Sequence, residues 1–171
     1  RLSALLAQEL HLAPQEVELI MQAAPLHDVG KVAIQDGVLL KKGRFSPKDR
    51  EVMREHARRG AQLLGGGRSA LMKLAEQIAV AHHERWDGHG YPEGLKGEEI
   101  PRPARIVAVA DAFDALTHLR PYKEAWTVQE AMAEMELERG AQFDPQVVDA
   151  LQRIHHYEAL MSAIIEVPTP P

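Results

Sequence analysis

Residues 103–117 read PARIVAVADAFDALT. Drawn as a helix, this stretch is apolar nearly all round, and a helix of that kind has to be buried among others. The rest of the 171-residue chain supplies them. Spacing predicts a helix over 15–26 (QEVELIMQAAPL), with Val17, Ile20, Met21 and Ala24 turned inward. Ser46-Pro47-Lys48-Asp49 reads as a helix start, with Ser as cap, Pro in the first turn and an acid three residues on. That helix runs to about Leu64 and stops at Gly65-Gly66-Gly67. Ser69 caps the next, whose inner stripe is Leu71, Leu74, Ala75, Ile78 and His82. Thr127 and Glu130 form a capping box for a helix ending near Gly140, and Asp144-Pro145 opens the last. There is no alternating strand pattern and no repeat. The expected fold is all-α, a compact multi-helix bundle over 1–165, followed by a flexible tail at 166–171. One long irregular stretch, 84–101, carries Gly88, Gly90, Gly94, Gly97 and two prolines, and a loop of that length in a compact domain points to function.

Composition narrows the chemistry. A net charge of −5 and a pI near 6.0 argue against a binder of polymeric nucleic acid. With no cysteine, any metal must be held by His, Asp, Glu or water. No run of about 18 apolar residues is present, so no membrane span is expected, and the default location is cytoplasmic. The chain opens on Arg1 inside an apparent helix (RLSALLAQEL), which reads as an N-terminally truncated fragment. Leu2, Leu5 and Leu6 would lie against Val17 and Met21.

The chemistry-bearing residues cluster in four places. His27-Asp28 closes the helix at 15–26. His56 follows Val52 by four residues and precedes Gly60 by four, so it faces inward. His82, with His83 beside it, ends the stripe Ala75-Ile78. Asp111 and Asp114 sit one turn apart in the most apolar helix. Arg105 is too far back along that helix to pair both, and an unpaired buried carboxylate costs several kcal/mol. A divalent cation between His27, Asp28, His56, His82, His83 and Asp111 would satisfy them together; a buried His–Asp hydrogen-bond network is the alternative. Nitrogen and oxygen donors without sulfur suit iron, manganese, zinc or nickel. Six donors are too many for one tetrahedral ion and suggest two metals clamping a phosphoryl group, with Asp28 as the bridge. His11, His89, His118, His155 and His156 lack such settings and read as loop or surface residues.

The motifs HDVGK (27–31), HHERWDGHGYP (82–92), ADAFDALT (110–117) and RPYK (120–123) resemble the HD-GYP family of the HD phosphohydrolase superfamily, and GAQFDPQVV (140–148) resembles its C-terminal signature. The resemblance implies an HD-domain helical bundle that hydrolyses cyclic di-GMP, a bacterial second messenger, at a centre of two or three divalent metals, iron or manganese first. It implies His27, Asp28, His56, His82, His83 and Asp111 as metal ligands, Asp28 and Lys31 as catalytic groups, and Gly90, Tyr91, Pro92, Asp114, Arg120 and Lys123 as substrate contacts. It also implies an upstream sensor or receiver domain and a possible homodimer or partner signalling domain. Two departures stand out. The family's upstream His, and the Glu of its three-metal members, have no match before Leu26, as in a truncated chain; and Gln35 stands where Pro is common. The rival readings are an HD-type phosphohydrolase acting on another nucleotide and a non-catalytic module that binds cyclic di-GMP or a partner.

Overall fold

The computed structural model describes residues 1–118 and 126–154. Within them the chain is helical, without a named strand; one isolated bridge joins Arg139 to Phe143. Eight helices follow in order: α1 (Leu2–Glu9), α2 (Pro14–Ala23), α3 (Asp36–Leu39), α4 (Pro47–Leu64), α5 (Ala70–Ala81), α6 (Arg102–Thr117), α7 (Val128–Leu137) and α8 (Pro145–Arg153). No helix among the described residues is long and apolar enough to cross a membrane.

Local chemistry sets most of the boundaries. The Ser46 side chain accepts from the Asp49 N–H at 3.2 Å, and the Asp49 carboxylate accepts from the Ser46 N–H at 2.8 Å, closing a capping box at the start of α4. Ser69 caps α5 through Met72 N–H, Thr127 and Glu130 box α7, and Asp144 accepts from Gln146 N–H at the start of α8. The helix expected over 15–26 is shorter. It stops at Ala23, and Ala24–Leu26 form a 3₁₀ turn, because Pro25 has no N–H to continue the α-helical ladder. Its inward face is Val17, Ile20 and Ala23, while Met21, expected inward, is 41% exposed.

α6 is the central helix, as its all-round apolar character demands. Ile106, Val109, Ala110 and Phe113 enter the larger core, with Leu6, Ala7, Ile20, Met135, Val148 and Leu151. Val107 points the other way, into a second cluster with Ala23, Leu64, Ala75, Ile78 and Ala79. Each fully buried Ile, Leu, Val or Phe of this kind contributes roughly 1.5–3 kcal/mol. Arg105 emerges from the buried side of α6 to meet Asp144, the cap of α8, at 2.6 Å. Both are nearly sealed from solvent, so each serves as the other's counter-charge and locks α8 onto α6.

The loop at 84–101 is fastened at three points. The Trp86 and Asp87 N–H groups donate to the Gln142 and Ala141 carbonyls at 3.1 and 2.9 Å, so the sequence-distant stretch 138–143 forms one wall with it. Arg58 on α4 donates to the Pro92 carbonyl and to Glu93. Glu84, only 4% exposed, accepts from the Glu93 and Leu95 N–H groups at 2.7 and 3.0 Å. Gly90 packs so closely beneath this carboxylate's own backbone that a Cβ there would lie 2.3 Å from Arg85 N.

Candidate metal centre and active-site pocket

Four segments meet at one point. The 3₁₀ turn after α2 ends at His27-Asp28, α4 brings His56 from its buried face, the end of α5 brings His82 and His83, and α6 brings Asp111. One donor atom each from Asp28, His56, His82 and His83 lie within 4.8 Å of one another. His27 Nε2 sits 3.4 Å from Asp28 Oδ2 and 3.6 Å from Asp111 Oδ1. Asp28 therefore faces two ways: its Oδ1 lies 3.3 Å from His56 Nε2 and 3.8 Å from His82 Nε2, while its Oδ2 faces His27 and the Lys31 ammonium at 2.5 Å.

The backbone fixes the tautomers. His27 Nδ1 donates to the Ala24 carbonyl at 2.7 Å, His56 Nδ1 to Met53 at 2.7 Å, and His82 Nδ1 to Ala79 at 3.0 Å. His56 and His82 then turn a bare Nε2 lone pair to the centre, and His27 turns its Nε2 there too, the orientation of metal-binding histidines. His56 Nε2 and His82 Nε2 stand 3.4 Å apart. With both Nδ1 protons committed, no proton is left between them, and the two lone pairs oppose each other. His27 Nε2 and Asp28 Oδ1 are buried without a hydrogen-bond partner. Facing lone pairs, an orphaned carboxylate oxygen and a set of nitrogen and oxygen donors fit a divalent cation.

Electrostatics point the same way. Burial holds the His82 imidazole down to about 4 and His83 down to about 3, aided by the neighbouring histidines, and lowers His56 as well, so all three are neutral near pH 7. Burial alone would lower His27 too, but the Asp111 and Asp28 carboxylates outweigh it and raise it to about 10. Both carboxylates are held below their usual range against the pull of burial, chiefly by His27, with Lys31 adding to the effect on Asp28. Without metal, a His27 imidazolium thus supplies the positive charge.

That balance gives a pH prediction for metal-free protein. His27, raised from 6.5, contributes stability that is complete below 6.5 and lost as pH rises through about 10. His82, lowered from 6.5, contributes stability that is complete above 6.5 and lost as pH falls through about 4. Thermal melts of chelator-treated protein are expected to peak near pH 6.5 and decline on both sides. If His27 holds metal, manganese would take the place of its Nε2 proton and the alkaline limb should flatten; an alkaline limb unchanged by metal would remove His27 from the centre.

A pocket of about 340 Å³ opens onto this cluster, lined among others by Arg54, His82, His83, Tyr91, Asp111 and Gln142. Tyr91 stacks on the His83 ring at 4.8 Å, so the glycine-rich loop touches the centre through its tyrosine. Asp111 is half-buried and open to this pocket, not sealed as its helix suggested. Asp114, expected on the same face, is exposed and lies 3.3 Å from His118, because Phe113 takes the inward position at that turn. His89 is at the solvated loop tip near Asp87. Arg120 and Lys123, like His155 and His156, lie outside the described residues. Sequence reasoning missed Glu84, Arg54 and Arg58; a carboxylate directly after the histidine pair, ahead of a loop full of unpaired N–H groups, was the available signal for Glu84.

A family model described as HD domain matches residues 1–147. The chain is 53% identical over 151 residues to the cyclic di-GMP phosphodiesterase response regulator RpfG of Xanthomonas campestris, covering 88% of this chain and 40% of that protein. It is 44% identical over 153 residues to a cyclic di-GMP phosphodiesterase of Thermotoga maritima, covering 90% and 42%. It is 40% identical over 163 residues to a 3'3'-cGAMP-specific phosphodiesterase of Vibrio cholerae, covering 95% and 31%. Among solved structures, an HDGYP protein from Bdellovibrio bacteriovorus superposes with a TM-score of 0.70 at 25% identity, over 90% of this chain and 48% of that one. The chain belongs to the HD domain family, in its HD-GYP branch. It spans less than half the length of each of these curated relatives.

Proposed function

We propose that this chain is the hydrolytic module of a metal-dependent cyclic di-GMP phosphodiesterase in bacterial second-messenger signalling. The observation that carries the reading is the convergence of three backbone-oriented Nε2 atoms, of His27, His56 and His82, on Asp28, at the floor of a pocket walled by Tyr91. The names of the relatives at 53% and 44% identity support the substrate class. Divalent cations bound there would supply a nucleophilic hydroxide near neutral pH and neutralise phosphoryl charge. His27, Asp28, His56, His82, His83 and Asp111 would hold them, with Asp28 offering one oxygen to each half of the cluster. Lys31 keeps an ammonium at the centre through Asp28; there it stabilises charge growing on the phosphoryl oxygens, or gives a proton from Nζ to the departing 3′-oxygen. Gly90 lets the loop close on Glu84, and Tyr91-Pro92 carries the pocket wall. Asp114, on the exposed side of α6, and Arg120 and Lys123 complete the proposed substrate contacts. Regulation by a receiver or sensor domain belongs to the same proposal, and the response-regulator relative supports it.

The test is a substrate panel on iron- or manganese-loaded protein: cyclic di-GMP, 3'3'-cGAMP, the linear diguanylate and nucleoside triphosphates. Cyclic di-GMP is expected to be hydrolysed fastest, by at least about tenfold, equivalent to about 1.4 kcal/mol of preference in the transition state. Faster turnover of a nucleoside triphosphate would move the chain to another branch of phosphohydrolase. Tight binding without turnover would make it a receptor.

A further inference from the structure

Arg54 occupies the outer wall of the same pocket, on α4 two residues before His56. Its guanidinium carbon lies 4.8 Å from the centroid of the Tyr91 ring, and Tyr91 in turn stacks on His83. Among the described residues the other cations nearby each have a carboxylate partner. Arg85 pairs with Asp87 and Glu138, Arg58 with Glu93, Arg105 with Asp144, and Lys31 with Asp28. Among the described residues Arg54 has no carboxylate partner, although it is exposed on a helix with acids at Glu51 and Glu55; Glu55 is taken by Arg59. A guanidinium lying over an aromatic ring keeps its N–H edge free for a planar, two-point contact with an oxyanion.

The proposed substrate poses a need that this arrangement meets. A cyclic dinucleotide carries two phosphodiester anions across one ring, and the cluster around Asp28 engages one. The other would lie in a pocket whose remaining charged groups include Asp111, on a protein of net charge −5. We propose that Arg54 holds the second, non-reacting phosphodiester, and so selects cyclic dinucleotides over simple phosphodiesters. The inference rests on the phosphodiesterase reading and names a specificity residue within it. Tyr91, between Arg54 and His83, then sets the spacing of the two phosphate sites.

The test compares Arg54→Met, which keeps the aliphatic stem, with Arg54→Lys and the unaltered protein, all manganese-loaded. Two substrates are used: cyclic di-GMP and bis(p-nitrophenyl) phosphate, which has a single phosphodiester. Arg54→Met is expected to raise KM for cyclic di-GMP by roughly tenfold to a hundredfold, the range for loss of a charge-assisted contact, with kcat changed much less. The loss on cyclic di-GMP should exceed that on bis(p-nitrophenyl) phosphate by at least about tenfold, and Arg54→Lys should fall between. Equal losses on both substrates would show that Arg54 acts only by steadying Tyr91, and no loss on either would show no role; both overturn the proposal. If the unaltered protein binds cyclic di-GMP without hydrolysing it, the phosphodiesterase reading fails separately. The dissociation constant of cyclic di-GMP then replaces KM, with the same fold-weakening expected and an unchanged constant overturning the proposal.

Discussion

Asp28→Ala is expected to strip the protein of tightly bound divalent metal and to lower turnover of cyclic di-GMP by about a thousandfold or more, the several kcal/mol that a bound ion supplies. No other residue of the cluster faces both halves. Its Oδ1 is turned to His56 and His82, and its Oδ2 to His27 and Lys31. Loss of the carboxylate leaves five imidazole and carboxylate groups with no shared anion, and the Lys31 ammonium then repels any incoming cation. Two variants separate this effect from a general disturbance. Lys31→Ala should retain metal while losing turnover, because it removes a charge beside the centre and not a donor. Asp114→Ala should retain metal, since that carboxylate is exposed and turned toward His118. Metal analysis after dialysis, run beside the turnover assay, reads all three. Full metal stoichiometry in Asp28→Ala would mean that the ion binds elsewhere.

What the sequence revealed and what it hid divide by range. The starts of α4, α5, α7 and α8 were readable because Ser46, Ser69, Thr127 and Asp144 each bond to a neighbour two or three residues on. The inward facing of His56 and His82 was readable because helical spacing ties each to apolar residues of its own helix. Helical spacing misjudged Met21, near the point where the α-helix gives way to the 3₁₀ turn at Ala24–Leu26, and Asp114, where Phe113 takes the interior position. The fastening of 84–101 against 138–143 left no trace, because backbone hydrogen bonds between distant loops impose no periodicity and little side-chain preference. The Arg105–Asp144 pair was hidden for a similar reason: Asp144 already had a local role as a cap, which masked its long-range one. Lys31 was placed by resemblance beside the phosphate; the structure shows it first as the partner of Asp28.

The mid-helix Gly60 was readable only as a marker of facing, yet a lone glycine inside a helix usually signals a close approach. The approaching group is Gly30, and Gly30→Ala is the substitution expected to damage the fold most. A Cβ built there would lie 1.9 Å from the His56 carbonyl oxygen, 2.4 Å from Gly60 N and 2.9 Å from Gly60 Cα. All three are backbone atoms, so no side-chain rotation relieves the overlap, and the turn at Val29–Ala33 must move off α4. Overpacking of this kind costs about 3 kcal/mol at the upper end of the usual range, and more where only backbone can yield. The same movement widens the 3.3 Å gap between His56 Nε2 and Asp28 Oδ1, so metal affinity should fall with stability. Gly37→Ala is the matched control: a Cβ at Gly37 meets nothing within 4 Å, and the residue lies in α3. There alanine should be neutral or stabilise by up to about 1 kcal/mol through helix propensity. Denaturant unfolding of both variants, with and without manganese, reads the difference. Equal midpoints for Gly30→Ala and Gly37→Ala would show that the turn can separate from α4 at no cost, and that the contact of Gly30 with Gly60 does not hold His27 and Asp28 against His56.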